Sequence, residues 1–447
     1  MIDKIKELAS KKFDSFEIVE IKTASTPVSY SAGKLKSVNT TEKHGFALRA
    51  IKDGKIAFSS TTKPNDAEAL VEQTLAAIPY SPKAEIEFTG EAGTLPNPAI
   101  EDDKIKKLET EKMIEMGGTL IEKLSPLHEK AKTGAGVSKD SSSMRIVTSN
   151  GFDKSYSKDE MGIYAGINLV DGDNMLSAWD VYTGCKYDDD TTKIIANITK
   201  FFGWGLKNVP VKSGKYKVLF TPSAVGDIIG ILKASWMGTS VYKGVSPWKD
   251  KVGQKIADEK LSIYDDGTID WLEVSSPFDC EGTPAQKTAI IENGVLKSFI
   301  ADKVTASRLG ISPTGNGFKR GGGFDSSNNI DATPITASSN NIITPGNKKS
   351  EDILAGMDEG ILVDSLLGTM MGNPLSGMLS GNIGLGFHVK DGKVLGRVKD
   401  AMLTFNLFTA IQDSILEISS DAEGITSWAG NCLNPWMLFD NGVLATK

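Results

Sequence analysis

Across residues 1–210 the apolar positions change spacing in a fixed order, and the order occurs twice. Helical spacing over residues 1–12 gives way to strand-like alternation through FEIVEIKTAS and YSAGKLKSVNTTEKHGFALRAIKDGKIAFSS, and then to a helix over NDAEALVEQTLAAI. The second pass reads as a helix over KLETEKMIEMGGTLIEKL, strands through MRIVTSNGFDKSYSKDEMGIYAGINLVDGDNMLSAWD and a closing helix over TTKIIANITKFFGWGLK. HGFALRAIKDGKIAFSS and MGIYAGINLVDGDNMLSAWD hold corresponding places, each joining two strand-like runs through an Asp-Gly turn. The pattern predicts a duplicated α/β N-terminal domain, with unit one at 1–100 and unit two at 101–210. EFTGEAGTLPNPAIEDDK, turn-rich and acidic, reads as the linker between them.

Beyond VPVKSGKYK the alternation shortens, and hairpin signals recur at DDG (265–267), ENG (292–294), DG (391–392) and DNG (440–442). Helical spacing is confined to 226–237, 301–309, 351–357 and 404–413. Residues 211–447 therefore read as a β-rich C-terminal domain with mixed and antiparallel sheets, and the whole chain as α+β. The run 314–350, poor in apolar residues, is expected to be a long exposed excursion.

Composition narrows the function classes. Of 447 residues, 40% are apolar and 24% charged, the balance of a folded soluble chain. The net charge of -7 and the absence of a long basic run argue against direct nucleic-acid contact. Charges interrupt every apolar run near the N-terminus, so neither a signal peptide nor a membrane span is expected there, and a cytoplasmic address follows. Cys185, Cys280 and Cys432 lack CxxC spacing, which points to reduced thiols and away from a disulfide framework or a cysteine-rich zinc site.

Three histidines restrict metal and acid–base chemistry. His128 begins an HE pair, but Lys132 and Thr133 stand where a zincin helix needs its second imidazole, so it reads as a solvated helix end. His44 reads as a turn residue without an acidic neighbour, and His388 as a surface imidazole on the strand face opposite Phe387. TGNGFKRGGG and SGNIGLGF lack the glycine order of a phosphate cradle, and no GxSxG elbow exists. Asp279, Cys280 and Glu281 concentrate polar groups before a Gly-Thr-Pro turn; their spacing fits either ligand orientation or a salt bridge to a neighbouring loop.

The segment VSSPFDCEGTPAQKTAIIENGVLKSFIADKVTASRLGISPTGNG (274–317) resembles the core signature of the TldD/PmbA family. KYKVLFTPSAVGDIIGILKASWMGTSVYKG, EDILAGMDEGILVDSLLG, SGNIGLGFHVKDGKVLGRVKDAMLTFNLFTAIQDSI and PWMLFDNGVL extend the likeness over nearly the whole C-terminal half. The resemblance implies a heteromeric zinc protease acting on unfolded peptides, in which only TldD-type chains hold the metal. Those chains carry HExxxH on the helix after the first strand of the C-terminal domain, with a distant Cys as a further ligand.

Along that pattern Gly230, Ile231 and Ser235 stand at the first His, the Glu and the second His, and Cys432 has no assigned ligand role. The implied reading is a noncatalytic PmbA/TldE-type subunit with no metal or other cofactor of its own. Its expected partner is a zinc-bearing, HExxxH-containing TldD-like chain in a heterodimer; alone, the chain would form a homodimer. Asp279, Cys280, Glu281, Thr283 and Pro284 become candidates to line or support a cavity for an extended peptide. Gly381, Gly384 and Gly386 would allow a peptide backbone to approach by strand addition. Two alternatives remain open: a stand-alone metallopeptidase assembling zinc from His388, Cys432 and distant carboxylates, and a protein-binding regulator in line with the family's label of DNA gyrase modulator.

Overall fold

Short turns with positive φ at both positions set much of the local geometry. Ala32-Gly33, Asp53-Gly54, Asn293-Gly294 and Asp391-Gly392 adopt φ of 49 and 76°, 52 and 72°, 49 and 77°, and 48 and 69°. This is the twist that joins antiparallel neighbours tightly. The computed structural model describes residues 1–172, 174–320, 328–427 and 430–446.

The N-terminal half forms one antiparallel sheet. Its strands are β1 (Ser15–Ser31), β2 (Lys34–Val38), β3 (Thr41–Lys52), β4 (Lys55–Thr61), β5 (Lys132–Thr148), β6 (Asp153–Asp171) and β7 (Asn174–Gly184). The order is β4-β3-β1-β5-β6-β7 with β2 beside β1, so both expected repeat units enter the same sheet, residues 17–31 pairing with 134–148. Period-two alternation gives the sheet two apolar faces. On one, α1 (Ile2–Ser10) and α2 (Ala67–Ala77) bury Ile5 and Leu70 against Ile18 and Leu48. After the short α3 (Asp103–Lys106), α4 (Thr110–Leu124) and α5 (Thr192–Gly205) bury Leu120 and Phe202 against Ile163 and Ile167. The other face, with Val19, Ile21, Met144 and Ile146, packs on Phe278, Cys280 and Phe318 from the C-terminal half.

There, β8 (Gly214–Phe220), β9 (Ile263–Asp266), β10 (Lys287–Glu292), β11 (Val295–Leu296), β14 (Asn340–Ile343), β15 (Glu359–Leu367), β16 (Met378–Lys390), β17 (Lys393–Arg397), β18 (Ala401–Asn406), β19 (Ile415–Ser427) and β20 (Gly430–Thr446) build an eleven-stranded sheet. β12 (Gly317–Phe318) and β13 (Ile335–Thr336) pair separately. β8 pairs with both β15 and β20, so β8, β15, β16, β18 and β20 close on themselves. Pairing is parallel at β8–β15 and β14–β20 and antiparallel elsewhere, the mixed sheet the sequence predicts.

The main core surrounds α6 (Pro222–Trp236), whose Val225, Ile228, Ile229, Leu232 and Trp236 meet Phe220, Ile361 and Phe439. Smaller helices α7 (Gly238–Tyr242), α8 (Lys303–Leu309), α9 (Ser350–Ala355) and α10 (Leu407–Asp413) complete the half. Among the described residues, no helix is long and apolar enough to cross a membrane.

Some local expectations change. DDG at 265–267 is not a hairpin: buried Asp265 accepts hydrogen bonds from Asn316 Nδ2 at 2.7 Å and Ser339 Oγ at 2.6 Å. DNG at 440–442 lies inside β20 as an irregularity in its pairing with β8. The run 314–350 is not an exposed excursion, since Asn316, Lys319, Ser339, Asn340 and Asn341 are buried and β14 lies between β9 and β20. Asn316, Ser339 and the Asn340 Nδ2 find partners inside, which composition does not reveal; residues 321–327 lie outside the described residues. The linker also buries Phe88 and Ile100, and Thr89 Oγ1 donates to the Glu281 carbonyl at 2.5 Å. It holds the two halves together.

Candidate functional site

α6 begins where Thr221 Oγ1 accepts from the Ala224 N–H and Pro222 occupies the first helical position. Its residues are apolar around nearly the whole circumference, the signature of a helix buried on every side. Gly230, Ile231 and Ser235 are all buried, Ile231 at 2% exposure. The Ser235 hydroxyl is buried without a hydrogen-bond partner. Cys432, on β20 opposite Asn341 of β14, is also buried. Burial pushes its thiol up to about 12, against the opposing effects of Lys233 and the Asn341 side chain. Burial lowers the Lys233 ammonium, while Cys432 and Asp265 favour its charged form.

A zinc centre takes thiolate, imidazole or carboxylate donors in a tight set. Here one position has no side chain, one is an alkyl group, one is an isolated hydroxyl, and the nearby thiol sits beside an amine. These residues do not fit zinc. Among the described residues no group of three His, Cys, Asp or Glu is placed to hold a metal ion.

The segment 279–284 serves a different purpose in the geometry. Asp279 Oδ1 accepts from the Glu281 and Thr283 N–H groups, both at 2.9 Å, and Oδ2 from the Gly317 N–H at 2.8 Å. Burial, and then the Glu281 charge, push the Asp279 carboxyl up despite these donors. Glu281 Oε1 accepts from Arg49 Nη1 at 2.9 Å and Oε2 from the Lys303 N–H at 2.8 Å. Arg49 also binds both oxygens of Glu17, at 2.9 and 3.0 Å.

Burial opposes the Arg49 charge, but Glu17 and Glu281 outweigh it and raise its pKa; burial raises the Glu281 carboxyl. Gly317 is required here, because a Cβ would stand 2.5 Å from Glu281 Oε2. Cys280 Sγ donates to Asn328 Oδ1 at 3.2 Å, Thr283 closes the turn and Pro284 is exposed at its end. Asp279, Cys280 and Glu281 thus stand inside the wall between the two halves.

Sequence reasoning missed Glu17 and Arg49. Their signal was a charge inside each of two apolar runs, Phe16-Glu17-Ile18 and Leu48-Arg49-Ala50. Strand register makes them opposite neighbours.

Above this wall lies a cleft of about 500 Å³ between β1, β5 and β6 on one side and residues 273–276, 318 and 320 on the other. Tyr156, Lys158, Glu160 and Arg320 line it. Burial pushes the Glu160 carboxyl up to about 7, opposed by Lys158 at 3.9 Å. Because the folded-state value is raised, the stability tied to this group is full below about pH 4.5 and is lost as pH rises through about 7. Glu160→Gln is therefore expected to unfold like the wild type at pH 4.5 and to be about 2 kcal/mol more stable at pH 8. Urea melts at both pH values measure this, and an equal offset at the two would refute it.

Gly381, Gly384 and Gly386 lie inside β16, a strand with neighbours on both sides. β16 pairs with β15 through 382–390 on one side and, on the other, with β18 through 378–382 and β17 through 387–390, while the Gly386 carbonyl accepts from the Val398 N–H at 2.9 Å. A Cβ at Gly381 would stand 3.1 Å from the Leu367 carbonyl oxygen and one at Gly386 3.0 Å from that of Leu362, so these glycines serve strand packing. His44 lies within β3, not in a turn, and its Nε2 is 2.7 Å from Glu20 Oε1, a neighbour supplied by register. His388 lies opposite buried Phe387 in the alternation, yet only 12% of its side chain is exposed and Nε2 is 2.9 Å from Glu359 Oε1. His128 ends a short helical turn and touches the Phe202 ring.

Residues 213–445 match the PmbA/TldA metallopeptidase C-terminal domain, and residues 16–78 match PmbA/TldA metallopeptidase domain 1. An uncharacterised protein of Methanocaldococcus jannaschii is 25% identical over 93% of this chain and 94% of its own length. A metalloprotease of the same organism is 32% identical, over 44% of this chain and 42% of that one. The crystal structure of TldE from Thermococcus kodakarensis superposes with a TM-score of 0.90 over 99% of both chains at 22% identity, a likeness of fold.

Proposed function

Because the chain belongs to the TldD/PmbA family, we propose that it is a noncatalytic, TldE-like subunit that pairs with a TldD-like chain carrying HExxxH and zinc. The observation that carries this reading is the interior of α6. Positions that would supply two imidazoles and a carboxylate hold Gly230, Ile231 and Ser235, and Ile231 packs in the main hydrophobic core. Without a Lewis acid or a carboxylate to activate water there, the helix has no means of attacking a peptide bond.

The cleft above the 279–284 wall supports a role in enclosing substrate. It is lined by strand residues of β1, β5 and β6, by both charges and apolar groups, and its size suits a short peptide segment. The Glu17–Arg49–Glu281 link fixes its two walls relative to each other. The metalloprotease names of relatives that match over less than half their length are consistent with proteolysis by the assembled complex.

Reconstitution tests this. An unfolded peptide should be cleaved by the mixture with a TldD-like chain and not by this chain alone, even after incubation with zinc. Loss of cleavage is expected when the HExxxH Glu of the partner becomes Gln. Zinc-dependent cleavage by this chain alone would overturn the reading.

A further inference from the structure

A second, smaller cavity of about 220 Å³ lies where the N-terminal sheet meets the C-terminal half, away from the α6 core positions and the 279–284 wall. It is lined by the start of α6 and by residues of β15, β7, α5, α9, β19 and β20. Two kinds of group converge on it. Trp179, Phe201, Trp204 and Trp436 supply aromatic surface, and Asp180, Asp364, Asp421, Glu351 and Glu423 supply carboxylates, against the single cation of Lys200.

Most of these carboxylates are already engaged. Asp180 accepts from the Val181 N–H at 2.8 Å and Asn197 Nδ2 at 2.9 Å, Asp421 from the Ser350 N–H and hydroxyl, and Glu423 pairs with Lys193 at 3.1 Å. Asp364 differs. Oδ1 accepts from Thr221 Oγ1 at 3.1 Å, while Oδ2 has no hydrogen-bond partner among the described residues. Lys200 Nζ lies 5.0 and 5.4 Å from the centres of the Phe201 and Trp204 rings, so the aromatic wall already attracts a tethered cation.

We propose that this cavity binds a small organic cation, a primary ammonium or a guanidinium, held by Asp364 and covered by the Trp179, Trp204 and Trp436 rings. A metal ion is the less suitable occupant, since the carboxylates do not converge into a coordinating group among the described residues. The aromatic faces favour a diffuse organic charge with an apolar stem. The volume lies below the roughly 300–1,000 Å³ of sites for drug-sized ligands, which limits the occupant to something of side-chain size.

Isothermal titration calorimetry on the full chain, with agmatine and with a short peptide containing one lysine, tests this and separates a free amine from a peptide side chain. Saturable binding of at least one of the two is expected, with no binding by the peptide in which norleucine replaces lysine. Asp364→Asn should weaken binding about tenfold or more, and Lys200→Met, which removes the competing cation, should tighten it by about threefold. The opposite signs guard against a variant that merely fails to fold. The proposal is overturned if neither probe binds saturably in the millimolar range, if Asp364→Asn and Lys200→Met both leave the affinity unchanged, or if magnesium binds there and excludes agmatine.

Discussion

Arg49→Met is expected to lower the folding stability by about 3–5 kcal/mol, because it strands carboxylates that the fold has already removed from water. Glu17 and Glu281 are 1% and 0% exposed, and three of their four oxygens accept from the Arg49 guanidinium. Methionine fills similar volume, so the loss would come from charge and not from a void. Glu281→Gln should cost less, since the amide oxygen still accepts from the Lys303 N–H at the start of α8. Combining the two changes should cost less than their sum, as expected of groups in one network. Guanidinium melts of the wild type, both single variants and the double variant supply the four numbers. Additive losses would mean that Arg49 and Glu281 act independently, and that the link between β3 and the C-terminal loop is only a contact.

Ile231→Glu should be the most damaging single change on α6, costing more than about 4 kcal/mol or abolishing soluble expression. The position lies in the core with Phe220, Trp236 and Ile361, where an ionised carboxylate has neither water nor an opposite charge prepared for it. Ile231→Val, which keeps the apolar character, should cost about 1 kcal/mol. Soluble yield and urea midpoints decide the matter. A well-folded Ile231→Glu protein would mean that the helix faces a wet cavity, and the account of a filled core would fail.

Local chemistry was legible in the sequence where it was self-contained. Asp53-Gly54 and Asp391-Gly392 specify their hairpins through backbone conformation alone, and the α6 run GDIIGILKASW shows by its apolar circumference that it is buried. Pairing between distant segments was not legible. Nothing near Arg49 marks Glu281, 232 residues away, as its partner, and nothing near His44 marks Glu20 before β1 and β3 are set in register. The same limit explains the polar run 314–350. Asn316 and Ser339 are polar because they satisfy the buried Asp265 carboxylate, a demand invisible without the fold.

The glycines of β16 show a related ambiguity. A residue without a side chain permits close approach of any backbone, and only the pairing reveals that the approaching strand is β15. At α6 the legible feature was an apolar interior. Gly230, Ile231 and Ser235 carry a message only beside a pattern that places ligands there, and the packing around them then explains how the helix persists without those ligands.

Whether the chain pairs with a TldD-like subunit is decided by purifying the tagged protein from its native cells at physiological salt and weighing the intact assembly by native mass spectrometry. One TldD-like, HExxxH-containing chain is expected for each copy of this one. A homodimer recovered without any such chain, from cells that contain it, would rule the pairing out.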